Sequence, residues 1–148
     1  YSEKLDLLRC IRKEFLQLFG LFPERQPVVE GPQVMDQRVL RAMDYLLQLP
    51  QGEYDLESVR NVAHMSARGL YYAFERELRC TPYAYFRACH LARVRLSLVE
   101  DCECRYSIAW HAASHGFQHM GRFAAHYRAY FGELPSETRK REPCLSLA

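Results

Sequence analysis

The stretch GFQHMGRFAAHYRAYFGELPSE, Gly116 to Glu137, decides the fold. Phe123 and Tyr127 stand one helical turn apart and Phe131 a turn further on, so one stripe of the segment is apolar. Gln118, Gly121, Arg122, Ala125, Arg128 and Ala129 form the outward set, which is small or basic. The helix stops near Gly132, and Pro135 suits the first position of another. The segment therefore holds a core stripe and a sparse basic face together.

The same pattern occurs earlier in the chain. Leu70, Phe74, Leu78 and Pro82 precede Phe123, Tyr127, Phe131 and Pro135 by 53 residues each. Ala63 precedes Gly116 by the same distance, at the point where a short helix must turn into a longer one. Two short-helix, turn, longer-helix units follow, each closed by a proline-started helix. Around them, a helix from about Val34 to Leu49 ends at Pro50-Gln51-Gly52. Asp55 can cap a helix to His64, and Ser66 one to about Leu78. Thr81-Pro82 opens a helix that continues to about Val99, and helices near 107–115, 119–131 and 135–141 complete the series. On the connector helix Phe86, Cys89, Ala92 and Leu96 fall on one side and Leu91, Val94 and Leu98 on the other, the pattern of a helix buried between two neighbours.

Upstream, residues 3–19 place Leu5, Leu8, Phe15 and Leu18/Phe19 on one face of an amphipathic helix, and the three prolines and two glycines of residues 20–33 mark a linker. The fold class expected is all-α. Residues 1–22 read as an amphipathic helix, 23–33 as a linker and 34–148 as the main domain. Within it lie helix-turn-helix units at about 55–78 and 107–131, joined by the connector at 82–99.

Composition narrows the function. The chain has 148 residues, 49% of them hydrophobic, so it can bury a core, and no long apolar run suggests a membrane span. The net charge of +2 permits a nucleic-acid partner without announcing one. From Gln33 onward fourteen arginines and one lysine face thirteen acids, so that part carries the whole excess. Arginine's planar fork suits phosphates and guanine edges, although most of these side chains read as solvated helix faces. Cys10, Cys80, Cys89, Cys102, Cys104 and Cys144 form no CxxC pair, and His111, His115 and His119 are interrupted by Gly116 and Phe117. No metal, no cofactor and no enzymatic activity are expected, and reduced thiols in a cytoplasmic protein are the default.

A helix-turn-helix places its second helix in a major groove, so the side chains pointing away from the core matter most. With Leu70, Phe74 and Leu78 inward, Arg68, Tyr72, Glu75 and Arg79 lie opposite, with Tyr71 and Arg76 on the flanks. Arg68 could grip a guanine by its two acceptors, and Tyr72 could meet a thymine methyl or a phosphate, or simply cover surface. In the second unit Arg122 is the strongest candidate for a base edge and Arg128 suits a phosphate. Ser66, Gln118 and His119, at the heads of the two longer helices, complete the candidate DNA contacts. The first unit is expected to read more sequence, and the second to supply position and affinity. The other reading from residues alone is a helical protein-interaction module using the Leu5–Phe19 face.

The string GFQHMGRFAAHYRAYFGELPSETRKR, preceded by SARGLYYAFERELRCTPYAYFRACHLARVRLSL, resembles the DNA-binding domain of AraC/XylS-type transcriptional regulators, and is most similar to the XylS-like branch. The resemblance covers about residues 34–142. It implies seven helices, two of them entering adjacent major grooves of promoter DNA, and activation through contact with RNA polymerase. It also implies an N-terminal effector or dimerisation domain, of which residues 1–22 would be the end and through which a homodimer could form. By position, Arg68 and Tyr72 match outward recognition-helix residues and Arg122 matches the branch's second-unit arginine. Three residues depart from the pattern: Ala125 stands where relatives often carry a polar reader, Gly69 weakens its helix by up to about 1 kcal/mol, and His111 replaces an apolar residue. His111 reads as a satisfied, partly buried histidine rather than a switch.

Overall fold

Most of the helices begin where a side chain can take up a free backbone N–H group. A computed structural model describes residues 35–101 and 103–141, and the helix expected over 3–19 and the linker at 23–33 lie outside them. Seven helices and no strand occur among the described residues: α1 (Gln37–Gln48), α2 (Leu56–Ala63), α3 (Ala67–Leu78), α4 (Pro82–Glu100), α5 (Ile108–Ser114), α6 (Met120–Phe131) and α7 (Pro135–Arg141). Asp36 caps α1 by accepting from Arg38 N at 2.9 Å, and Asp55 caps α2 through Ser58 N at 2.9 Å. Ser66 Oγ accepts from Gly69 N at 3.1 Å on α3, and Ser107 Oγ from Trp110 N at 3.0 Å on α5. Caps of this kind contribute about 1 kcal/mol each. In α7, Glu137 reaches back to accept from Leu134 N at 2.6 Å, which is half of a capping box and explains the LPSE sequence.

Contacts divide the chain into two units. Among the described residues, one takes in 35–49 with Tyr54–Phe86, the other Pro50–Glu53 and the residues from Arg87 to Arg141. In the first, α1 buries Val39, Ala42, Met43, Leu46 and Leu47, α2 buries Val59 and Ala63, and α3 buries Leu70, Ala73, Phe74 and Leu78. These are one stripe per helix, spaced three and four residues apart. In the second, Leu91, Val94 and Leu98 of α4 pack with Ala112, Phe117, Phe123 and Tyr127, and Met120, Tyr130 and Phe131 close over them.

The connector departs from the expected pattern. Phe86 and Cys89 are buried, but Ala92 is only partly covered and Leu96 is 47% exposed, so α4 is apolar on one side alone over its second half. The repeat also differs in its turn. The left-handed residue after the short helix is His64 (φ 53°) in the first unit and Gly116 (φ 84°) in the second, an offset of 52 rather than 53. Ala63, the position matched to Gly116 from sequence, is still helical. From the caps onward, Ser66 and His119, the offset is 53, and it holds for the left-handed helix ends Arg79 and Gly132. The second turn is therefore one residue longer. Glycine is needed there because φ is positive and because a Cβ at Gly116 would collide with the Gln51 side chain.

Buried polar groups knit the second unit. Thr138 Oγ1 donates to Glu133 Oε1 at 2.7 Å and is joined to the Tyr127 hydroxyl at 2.8 Å. Arg95 Nη1 lies 2.8 Å from Glu133 Oε1 and its guanidinium covers the Phe131 ring, while Arg141 reaches Glu133 Oε2 at 2.9 Å. His111 is buried, with Nδ1 against Ser97 Oγ and Nε2 2.9 Å from Asp101 Oδ2. Asp101 also accepts from Arg105 N and Tyr106 N, so it fixes the α4–α5 loop, and it lies 3.6 Å from Arg139 of α7. The His111 contact first, then its loop amides, hold the Asp101 carboxyl down at about 2. Both ring nitrogens of His111 are thus engaged, as a satisfied histidine requires.

Candidate nucleic-acid interface

The first unit offers one face of α3. With Leu70, Phe74 and Leu78 inward, Arg68, Tyr71, Tyr72, Glu75 and Arg76 are exposed, as is Arg79 at the helix end. Tyr72 is the most open large side chain, at 69% exposure. Ser66, Arg68, Tyr71 and Tyr72 come together around an open depression of about 810 Å3, with Ala67, Gly69, Glu75 and Thr81 completing its wall. Gly69 keeps that wall low: a Cβ there would sit 3.1 Å from Ser66 Oγ, the atom that caps the helix. The glycine that costs helix propensity thus spares the cap.

Not all the basic groups of α3 are equivalent. Arg76 is held by Glu77, with Nη2 2.7 Å from Oε1, so its charge is already engaged. Tyr71 leans towards Tyr54, whose phenol is pushed up to about 12 by burial first and by Tyr71 next. Arg79 occupies the left-handed helix end and lies outside the depression. Arg68, by contrast, makes no side-chain hydrogen bond or ion pair among the described residues.

In the second unit α6 exposes Gly121, Arg122, Ala125, Arg128 and Ala129, with Gln118 and His119 exposed just ahead of it. His119 is the N-cap by position but makes no side-chain capping bond, which leaves its ring free of that duty. The side chains of Arg122 and Arg128 form no hydrogen bond or ion pair among the described residues. Gly121 and Ala125 leave this face flat, since nothing lies within 4 Å of a Cβ built at Gly121. One partner of α6 escaped the sequence reading: His126, on the flank, meets Arg87 of α4 at 3.4 Å. Its partner is 39 residues away, a distance that no periodicity reveals.

Arginines elsewhere behave differently. Arg38, Arg60, Arg95, Arg105, Arg139 and Arg141 all face carboxylates of their own unit. The two outward helix faces thus combine uncommitted guanidinium groups with exposed tyrosine and small residues. That is the equipment for meeting an anionic, grooved surface. Of the thiols, Cys80 and Cys89 are at least partly covered and Cys104 is exposed, and burial pushes the Cys80 thiol up to about 12. No group of three His, Cys, Asp or Glu side chains converges on one point among the described residues. None of the described helices is long and apolar enough to cross a membrane.

A helix-turn-helix domain family matches residues 60–141. The XylDLEGF operon transcriptional activator 2 of Pseudomonas putida is 34% identical over 130 residues, which cover 88% of this chain and 80% of that protein. The XylDLEGF operon transcriptional activator of the same organism is 32% identical over 131 residues; the match covers 88% of this chain but 40% of that longer protein. Among solved structures, a probable AraC family transcriptional regulator from Rhodopseudomonas palustris CGA009 superposes with a TM-score of 0.63 at 29% identity, covering 72% of this chain and 98% of that one.

Proposed function

The chain belongs to the AraC/XylS family of DNA-binding transcription regulators, and from that membership we propose that it reads specific double-stranded promoter DNA and activates transcription there. The observation that carries the reading is the contrast in arginine pairing: Arg68, Arg122 and Arg128 are uncommitted on two recognition-helix faces, while most arginines elsewhere meet carboxylates. In this reading α3 and α6 enter adjacent major grooves. Arg68 meets a guanine edge through its paired N–H groups and Tyr72 a thymine methyl or phosphate. Arg122 reaches a base edge from α6, and Arg128 a phosphate. Ser66, Tyr71, Arg76, Arg79, Gln118 and His119 line the margins of the same faces and supply position more than discrimination. Contact with RNA polymerase would complete activation, and pairing of two chains would come from an N-terminal domain of the kind the family carries.

The test is selection of bound sequences from a random duplex library, with a salt titration of the best binder. An asymmetric motif in two parts about 10 base pairs apart is expected, since that is one turn of the duplex. Affinity should fall steeply with salt. No enriched motif, together with weak binding at low salt, would instead favour a helical protein-interaction module.

A further inference from the structure

We infer that Trp110 and Glu100 of the second unit form a docking face for a protein partner that presents an arginine side chain. The inference goes beyond the DNA reading and does not depend on it. Its starting point is an aromatic pair that the core does not use. Tyr106 and Trp110 are stacked, with ring centroids 3.9 Å apart and planes 17° from parallel, yet they are 46% and 48% exposed. Neither belongs to the cluster around Leu91, Phe123 and Tyr127 that holds this unit together. Nor does a helix-turn-helix need an aromatic side chain there. Counting back by the 52 residues that separate the two turns, Trp110 corresponds to Ser58 of α2, a small residue bonded to the Asp55 cap. Large rings left half in water, at a position that the fold does not require, mark a contact surface.

Charge says what the contact is. Trp110 lines an open depression of about 520 Å3, and three carboxylates, Glu100, Asp101 and Glu103, stand around it. Two of them are engaged. Glu103 lies 2.7 Å from Arg105 Nη2, and Asp101 is held by His111, the loop amides and Arg139. Glu100 is exposed and makes no hydrogen bond or ion pair among the described residues. The depression therefore combines an uncommitted negative charge with a half-open indole.

Phosphates are repelled by that combination, the reverse of the uncommitted guanidinium groups on α3 and α6. A guanidinium suits it: the plane stacks on an aromatic ring while the edge N–H groups pair with a carboxylate. A lysine ammonium meets the carboxylate but has no plane to stack. Because the depression is open rather than enclosed, it takes a side chain projecting from another surface better than a whole small molecule, which needs to be buried on most sides.

The experiment uses the 148-residue chain and short capped peptides of glycine alternating with arginine, lysine or glutamate. Binding is read by anisotropy of the dye-labelled peptide, and contact by the access of acrylamide to Trp110, the sole tryptophan. The chain's own charge of +2 gives a cationic peptide no general attraction. The arginine peptide should bind and shield Trp110, the lysine peptide should bind more weakly, and the glutamate peptide should not bind. Glu100→Gln and Trp110→Leu, each first shown to retain wild-type helicity and duplex affinity, should each weaken the arginine peptide about two- to fivefold. Equal binding by wild type and both variants, or binding that leaves Trp110 open to acrylamide, would overturn the inference. Shielding of Trp110 by duplex instead of peptide would assign the face to DNA. Self-association of the chain that Trp110→Leu abolishes would assign it to a second copy. A chain that binds the arginine peptide as expected but enriches no duplex would retain this face and lose the DNA reading alone.

Discussion

Replacing Thr138 by valine should destabilise the second unit more than any loss of a single hydrogen bond can. Thr138 is 1% exposed and Tyr127 fully buried. The threonine hydroxyl spends its one proton on Glu133 Oε1 at 2.7 Å, so its oxygen must accept from the Tyr127 hydroxyl at 2.8 Å. The order of donation is therefore Tyr127 to Thr138 to Glu133. Tyr127→Phe removes one neutral bond and leaves Thr138 still anchored, at a cost of about 1 kcal/mol. Thr138→Val, nearly the same shape, removes both bonds and leaves a phenol O–H buried with no acceptor. Adding the orphan's penalty gives roughly 2–4 kcal/mol. The double variant has no orphan, so it should be more stable than Thr138→Val alone. The assay is urea or thermal unfolding followed by Trp110, the sole tryptophan, which is stacked on Tyr106 within the same unit. Each kcal/mol corresponds to some 4–8 °C for a domain of about 60–100 residues. Additive costs in the double variant would refute the donation order.

Arg68→Ala should relax the selected motif at one or two positions and weaken binding by about 1–3 kcal/mol; an unchanged motif would mean that α3 is turned differently. Arg128→Ala should weaken all duplexes alike and lower the salt slope by about one, measured by titration with potassium chloride. Gly116→Ala should destabilise by about 1–2 kcal/mol from its left-handed backbone alone, with more from the clash at Gln51. Truncating Gln51 in the same chain should recover only the second part in thermal unfolding. The Asp101 carboxyl titrates at about 2, below the ordinary 3.8, so its contribution is full above about pH 4 and fades as pH falls towards 2. Asp101→Asn should remove that portion of the acid sensitivity, read as a shallower loss of Trp110 signal between those limits.

Much of the fold is legible in the sequence because its devices are local. Asp55, Ser66, Ser107 and the Thr81-Pro82 pair mark helix starts by chemistry that acts over two or three residues. Core stripes such as Leu70, Phe74 and Leu78 follow from helical periodicity alone. The outward faces are then what remains, which is why Arg68, Tyr72, Arg122 and Arg128 could be named without coordinates. Three features were hidden. His64 takes a left-handed conformation with no glycine to signal it. Leu96 looks like a core residue, but its exposure depends on which side of α4 finds a neighbour. The networks centred on Asp101, Glu133 and His126 join residues up to 39 apart, and only the fold decides such pairings.

The unequal turns set a rule for exchanging parts between the two units. From Ser66 to Pro82 and from His119 to Pro135 the segments correspond residue for residue, both passing through a left-handed helix end. The turns ahead of them do not, because His64 and Gly116 are 52 apart. A chimera spliced at the caps keeps each apolar stripe on its core. A chimera that carries the turn along slips by one residue, about 100° of helical rotation. Such a slip would carry Phe123 towards water and Arg122 towards the interior. The cap residue is therefore the seam along which this repeat can be cut and rejoined.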